Sequence, residues 1–169
     1  TTLNANRDRE NVVIVAPPAG DQILNTICKD LTRGIPSKNA VLASDVLISA
    51  SPEYFRAGSS GEAGAWDSNK LADWRAAIEP WIATRFPHAL AVVLHLDEAT
   101  PHYAIIDVPV NLRTGRLSHR AKFGGNTRRG EGNQLTKWQT WAAEPVAHLG
   151  IERGTAGSLA THTDIKRYY

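Results

Sequence analysis

ALAVVLHLDEATPHYAIIDVPV, residues 89 to 110, decides the fold. Its opening, ALAVVLHL (residues 89 to 96), is almost wholly apolar, the pattern of a central strand buried on both faces. HYAIIDVPV, residues 102 to 110, is a second strand candidate, and only DEATP separates the two. A parallel crossover needs roughly a dozen residues or more, and a linker this short predicts an antiparallel hairpin.

Outward from that hairpin, NVVIVA (residues 11 to 16) reads as a short strand closed by Pro17 and Pro18, and VLASDVLISAS (Val41 to Ser51) as another, ended by Pro52. Between them, residues 21 to 33 carry Ile23, Leu24, Ile27 and Leu31 at helical spacing, with Asp21 as a cap and Gly34 past the end. AGSSGEAGAWDSN, residues 57 to 69, has the composition of a surface loop. Residues 70 to 85 then place Leu71, Trp74, Ile78, Trp81 and Ile82 on one stripe behind Asp67 or Ser68 as N-cap, with Pro80 a possible kink. A further helix is expected over residues 133 to 149, from Leu135, Trp138, Trp141, Ala142, Val146 and Leu149, ending at Gly150. Strands that alternate with helices around a tight hairpin predict an α+β fold, a mainly antiparallel central sheet flanked by helices, with no internal repeat.

A chain of 169 residues with 42% apolar content is the size of one ordinary domain and can bury a core without disulfides or structural metal. A single domain over residues 1 to 169 is expected. Cys28 is the only cysteine, and nothing resembles a signal peptide or an apolar run long enough to span a bilayer, so a cytoplasmic compartment is expected. The chain starts at Thr1 and contains no methionine, which suggests that the natural start and any C-terminal region are missing from it. The net charge of +2 is too small to argue for nucleic acid; the distribution is more telling. From Arg113 to Arg129 there are six Lys or Arg residues and His119, with no Asp or Glu among them.

The chemistry concentrates in His95-Leu96-Asp97-Glu98-Ala99-Thr100-Pro101-His102, two imidazoles and two carboxylates around one tight turn. If the flanking strands pair, His95 and His102 lie near the ends of adjacent strands and converge on one point. Imidazole nitrogen with carboxylate oxygen suits Zn, Mn or Mg rather than a soft metal. The strand period of two puts Ala104 on the same face as His102, with Tyr103 on the other. The same residues also read as ordinary polar groups at a hairpin end, with Asp97 and Glu98 solvated, and spacing alone leaves the two readings nearly even.

The string HxDExTPH, six specified positions within eight residues, resembles the signature motif of Pre/Mob plasmid mobilisation and recombination proteins, the MOBV relaxases. NAVLASDVLISASPEYF (Asn39 to Phe55), Lys122-Phe123-Gly124-Gly125, HLGIERG (His148 to Gly154) and HTDIKRYY (His162 to Tyr169) resemble other segments of that family, so the likeness runs roughly from residue 4 to 169. The resemblance implies the HUH endonuclease fold, an antiparallel sheet with flanking helices. It also implies a histidine cluster holding one divalent cation, Mn or Mg, that neutralises charge at a scissile phosphate while a nucleophile displaces the 3′ segment. The resulting covalent link at the 5′ phosphate is stored until the reverse attack rejoins the strand.

Carried onto this sequence, the resemblance gives His95, His102 and Glu98 as metal ligands, and Glu98 and Asp97 as residues taking part in catalysis. Two positions depart from the family pattern. Ala104 stands where the family usually has a further histidine, so Glu98, Asp97 or water must complete the shell, or metal affinity is reduced, or the residue was substituted. Members of the family that this chain resembles use an N-terminal histidine as nucleophile, and none precedes His88 here, so that residue is expected upstream of Thr1. Tyr54, Tyr168 and Tyr169 are the tyrosine alternatives, although aromatic residues beside apolar runs more often pack.

Arg7 and Asn11 match the family's N-terminal Arg and Asn as DNA contacts; strand-edge solvation explains them equally well. Arg113, Arg116, Arg120, Lys122, Arg128 and Arg129 form the expected phosphate-binding surface, with Gly124 and Gly125 permitting close backbone approach; the alternative is a solvated loop. Trp74, Trp81, Trp138 and Trp141 lie on helical stripes and read as core, leaving Trp66 as the one candidate for a base contact. His88, His119, His148 and His162 stand apart from the motif, His119 alone within reach of a phosphate.

The expected partner is single-stranded or hairpin origin-of-transfer DNA, with accessory mobilisation proteins and a homodimer formed through missing regions as further partners. Two alternatives remain: a catalytically silent origin-binding domain of the same fold, favoured by Ala104, and a simple metal-dependent nuclease, for which Asp97, Glu98 and Asp107 would have to supply further carboxylates.

Overall fold

The computed structural model describes residues 11–33, 36–56, 64–124 and 134–155. Strand β1 (Val12–Val15), a helical turn α1 (Ile23–Asn25) continuing as a π-helix over Thr26–Leu31, strand β2 (Ser44–Ser49) and a short helix α2 (Pro52–Phe55) come first. The long helix α3 (Ser68–Arg85) leads into β3 (Ala89–His95) and β4 (His102–Asp107). A small hairpin, β5 (Val110–Asn111) with β6 (Arg116–Leu117), precedes helix α4 (His119–Phe123), helix α5 (Gln134–Ala143) and a 3-10 helix over Glu144–Leu149.

The main sheet has the order β1-β3-β4-β2 and every pairing in it is antiparallel. The α+β fold with an antiparallel sheet is therefore the one the sequence predicts. β3 and β4 form the central hairpin with His95 opposite His102, Leu94 opposite Tyr103 and Val93 opposite Ala104. Burial on both faces of β3 holds over Leu90, Ala91 and Val92; Val93 and His95 are only half-buried, because there the second face of the sheet is open.

Alternation sorts the sheet into two faces. Leu94, Tyr103, Ile105 and Val92 point to the covered face, where Trp74, Ile78 and Ile82 of α3 complete the main core. Trp74 lies 5.2 Å from Tyr103 and 5.1 Å edge-on to Phe55, centroid to centroid. α3 sits where expected because Asp67 is a working N-cap: its carboxylate accepts from the N–H groups of Asn69 and Lys70. The helix runs unbroken through Pro80.

Three elements differ from the sequence reading. Asp21 caps nothing: Gln22 N–H bonds the carbonyl of Ala19, so Asp21 lies in a turn ahead of the helix, which begins at Ile23. The α-helix expected to reach residue 149 stops at Ala143 and tightens to 3-10 geometry, since Pro145 has no N–H for the α ladder. The basic stretch is not simply a loop: residues 110 to 123 form the β5–β6 hairpin and α4. At its tip Gly115 adopts a φ of +69°, where an added Cβ would lie 2.9 Å from the Arg33 side chain.

Candidate metal centre

On the open face, the last residue of β3 and the first of β4 bring the imidazoles of His95 and His102 together, stacked with centroids 5.0 Å apart and planes 11° from parallel. Glu98, from the turn between them, completes a group of three whose ligand atoms all lie within 4.8 Å of one another. Two nitrogens and one carboxylate oxygen at this spacing suit a borderline or hard divalent ion, which would leave other coordination positions for water or a phosphate oxygen. Glu98 Oε1 lies 4.0 Å from His102 Nε2 and Asp97 Oδ1 3.6 Å from His95 Nδ1, distances of charge contact rather than hydrogen bonding.

Backbone contacts hold this turn on all sides. Leu96 N–H donates to Asn11 Oδ1 at 2.8 Å, and Ser49 Oγ donates to the carbonyl of Pro101 at 3.0 Å. The Ala99 carbonyl accepts both from the Arg56 guanidinium, at 3.1 Å, and from the N–H of Gly64, at 2.9 Å. Gly64 is buried with a φ of +84°, a conformation that favours glycine. His102 Nδ1 sits 3.0 Å from the Thr100 carbonyl; as a donor there it fixes the tautomer and leaves Nε2 to face Glu98.

Beneath the site, on the covered face, Tyr103 Oη donates to Glu79 Oε1 at 2.6 Å and Arg75 Nε bonds the same oxygen at 2.8 Å. Burial, first, and then the Glu79 carboxylate push the Tyr103 hydroxyl well above the usual tyrosine range. Tyr54 is likewise a packing residue, its hydroxyl donating to the Lys70 carbonyl and its ring edge-on to Phe55.

Other sequence-level candidates fall elsewhere. Asp107 lies at the far end of β4 from His102, about 17 Å away at strand rise, and ion-pairs Lys122 at 2.8 Å inside the protein. It belongs to no carboxylate cluster with Asp97 and Glu98. That pair also corrects the reading of Lys122 as a surface cation: its ammonium is turned inward, 5.1 Å from the Phe86 ring centroid. Desolvation raises the Asp107 carboxyl and Lys122 opposes that shift, while burial lowers His88 nearby.

Arg113, Arg116 and Arg120 are exposed on the β5–β6 hairpin and α4, at the end of the sheet remote from the histidines. Arg33, missed in the sequence, joins them: with Arg116 it lines a cavity of about 260 Å³. Trp66, read as a base contact, packs partly buried against the main core. His119 lies against the Phe123 ring and His148 is exposed. Arg7, Gly125, Arg128, Arg129, His162, Tyr168 and Tyr169 lie outside the described residues. The two largest cavities described, about 730 and 520 Å³, run along β2 beside α5 and include neither His95 nor His102.

Comparison with known proteins agrees with this fold. A 65 kDa protein of Zymomonas mobilis subsp. mobilis is 30% identical over 99% of this chain, which spans 28% of that relative's length. Among solved structures, the MobM relaxase domain bound to a 23-nucleotide pMV158 oriT DNA, in an Mn-bound crystal structure, superposes with a TM-score of 0.70 over 98% of this chain and 82% of its own, at 20% identity. The same domain bound to a 26-nucleotide oriT DNA gives 0.68 over 95% and 88%, at 21% identity. The family model described as plasmid recombination enzyme, Mob_Pre, matches residues 3–169. This chain belongs to the Mob_Pre family of plasmid recombination enzymes.

Proposed function

We propose that this chain is the core of a relaxase, which nicks and rejoins one strand of single-stranded or hairpin DNA at a plasmid origin of transfer through a covalent protein–DNA intermediate. The observation that carries the reading is the convergence of His95, Glu98 and His102 on one point of an open sheet face in a chain of this family. These donors fit one divalent cation, Mn or Mg, which when bound neutralises charge on the scissile phosphate.

The chain's own residues do the rest. His95 and His102 fix the site at the mouth of the central hairpin, and Glu98 contributes the charged donor. Asp97, 3.6 Å from His95 Nδ1, adds negative charge beside that imidazole. The nucleophile is supplied from outside the described residues, since the Tyr54 hydroxyl is already committed. Arg113, Arg116, Arg120 and Arg33 form the phosphate-contacting surface, and their distance from the histidines suits a bound strand running the length of the sheet. Arg7, Arg128 and Arg129 are further expected DNA contacts. Accessory mobilisation proteins and a second copy of the chain complete the complex, in the bacterial cytoplasm.

A silent origin-binding domain is the second reading, and Ala104 is its one support. Against it, three donors converge without any contribution from position 104. The test uses the full-length protein with Mn and single-stranded oligonucleotides tiled across the DNA flanking its gene. A 5′-phosphate-linked covalent adduct on a denaturing gel, lost in His102→Ala, is expected. Tight oligonucleotide binding with no adduct and no cleavage would establish the silent domain instead.

A further inference from the structure

We propose that Asn11 is a positioning residue of the metal centre, acting through the backbone of the turn that carries Glu98. The inference rests on the metal-centre reading above and adds to it a residue outside the group of candidate ligands.

β1 pairs with β3 through Val12 opposite Leu94 and Val13 opposite Val93. Asn11 is the residue just before that ladder, and His95 ends β3. Beyond His95 the chain turns away, so Leu96 N–H has left the regular ladder. Asn11 supplies the acceptor from its side chain, Oδ1 to Leu96 N at 2.8 Å across a separation of 85 residues. Asparagine has the reach and the carbonyl to stand in for a missing strand residue, in the manner of a cap.

The bond falls between His95 and the Asp97-Glu98 pair, where it matters most. The other anchors of the turn, Ser49, Arg56 and Gly64, hold Pro101 and Ala99, all on the His102 side of Glu98. Among the bonds described, Asn11 alone fixes the His95 side. With it, the path from His95 to Glu98 has both ends pinned and the carboxylate is held within 4.8 Å of both imidazoles. Without it, the stretch from Leu96 to Glu98 gains freedom relative to the two imidazoles. Outer residues that orient ligands typically contribute about 10- to 100-fold to metal affinity.

The test compares the wild-type chain with Asn11→Leu, which keeps the volume and loses the acceptor, and Asn11→Asp, which keeps the acceptor. Three readouts are taken: Mn affinity by calorimetry at low and high salt, thermal midpoint, and hydrogen exchange of the Leu96 amide. Asn11→Leu is expected to weaken Mn binding about tenfold and to deprotect Leu96 with little change in melting. Asn11→Asp should restore both, including at high salt, where a mere added negative charge would be screened. Unchanged Mn affinity in Asn11→Leu, with Leu96 deprotected, would overturn the positioning role and leave the metal centre standing. A wild-type chain that bound no Mn would instead overturn the metal centre itself, and this proposal with it.

Discussion

Ala104 is two residue pairs along the sheet from the histidines, and so on their face, opposite Val93 and beside Leu47. A side chain placed there points to the open face that carries the histidines and not into the core, so an imidazole can be accommodated at this position. We expect Ala104→His to add a fourth donor and tighten Mn binding at least about tenfold, read by calorimetry. Unchanged affinity would mean that position 104 does not reach the ion. Tyr103, its neighbour on the opposite face, gives a second prediction. Its folded-state pKa lies above the unfolded value, so the neutral hydroxyl stabilises the fold fully below about pH 10, and that stabilisation is lost as pH rises beyond it. Tyr103→Phe should cost about 1–2 kcal/mol at neutral pH and abolish the alkaline decline above pH 10 in urea titrations. An equally steep decline in the variant would assign it to another group.

At the scale of elements, the buried Asp107–Lys122 pair pins α4 to the end of β4, and Trp138 Nε1 of α5 donates to the Lys122 carbonyl at 2.8 Å. Removing one partner strands a buried charge. Asp107→Ala or Lys122→Ala is expected to lose about 3 kcal/mol by urea denaturation, and Asp107→Leu with Lys122→Met to recover most of it. Equal losses in single and double variants would show that packing, not charge, holds the element. This pair also marks what sequence could reveal. The β3–β4 hairpin was legible because its strands and its donors lie within one contiguous stretch. Lys122 was not, because a lysine in a basic run reads as solvated and what turns it inward is a carboxylate on another element. Ser49, Arg56, Gly64 and Asn11 were illegible as turn anchors for the same reason: their partners are backbone groups 35 to 85 residues away, which only the folded register brings close.

For the whole molecule, one sheet divides the labour. α3 covers one face and supplies the main core, the open face presents the donor cluster at one end, and the exposed arginines gather at the other. A strand bound along that face would release counterions at the arginine end. Substituting Arg113 and Arg116 by Ala should weaken single-strand binding across sequences and flatten its logarithmic salt dependence by about 0.7 for each phosphate no longer neutralised, with Mn affinity unchanged. The central claim is that His95, Glu98 and His102 form one cation site, and Mn titration of the chain and its three single alanine variants tests it most directly. The structure predicts one Mn per chain, with binding lost in His95→Ala and His102→Ala and markedly weakened in Glu98→Ala. Binding that survives loss of either histidine, or that never occurs in the wild-type chain, would contradict it.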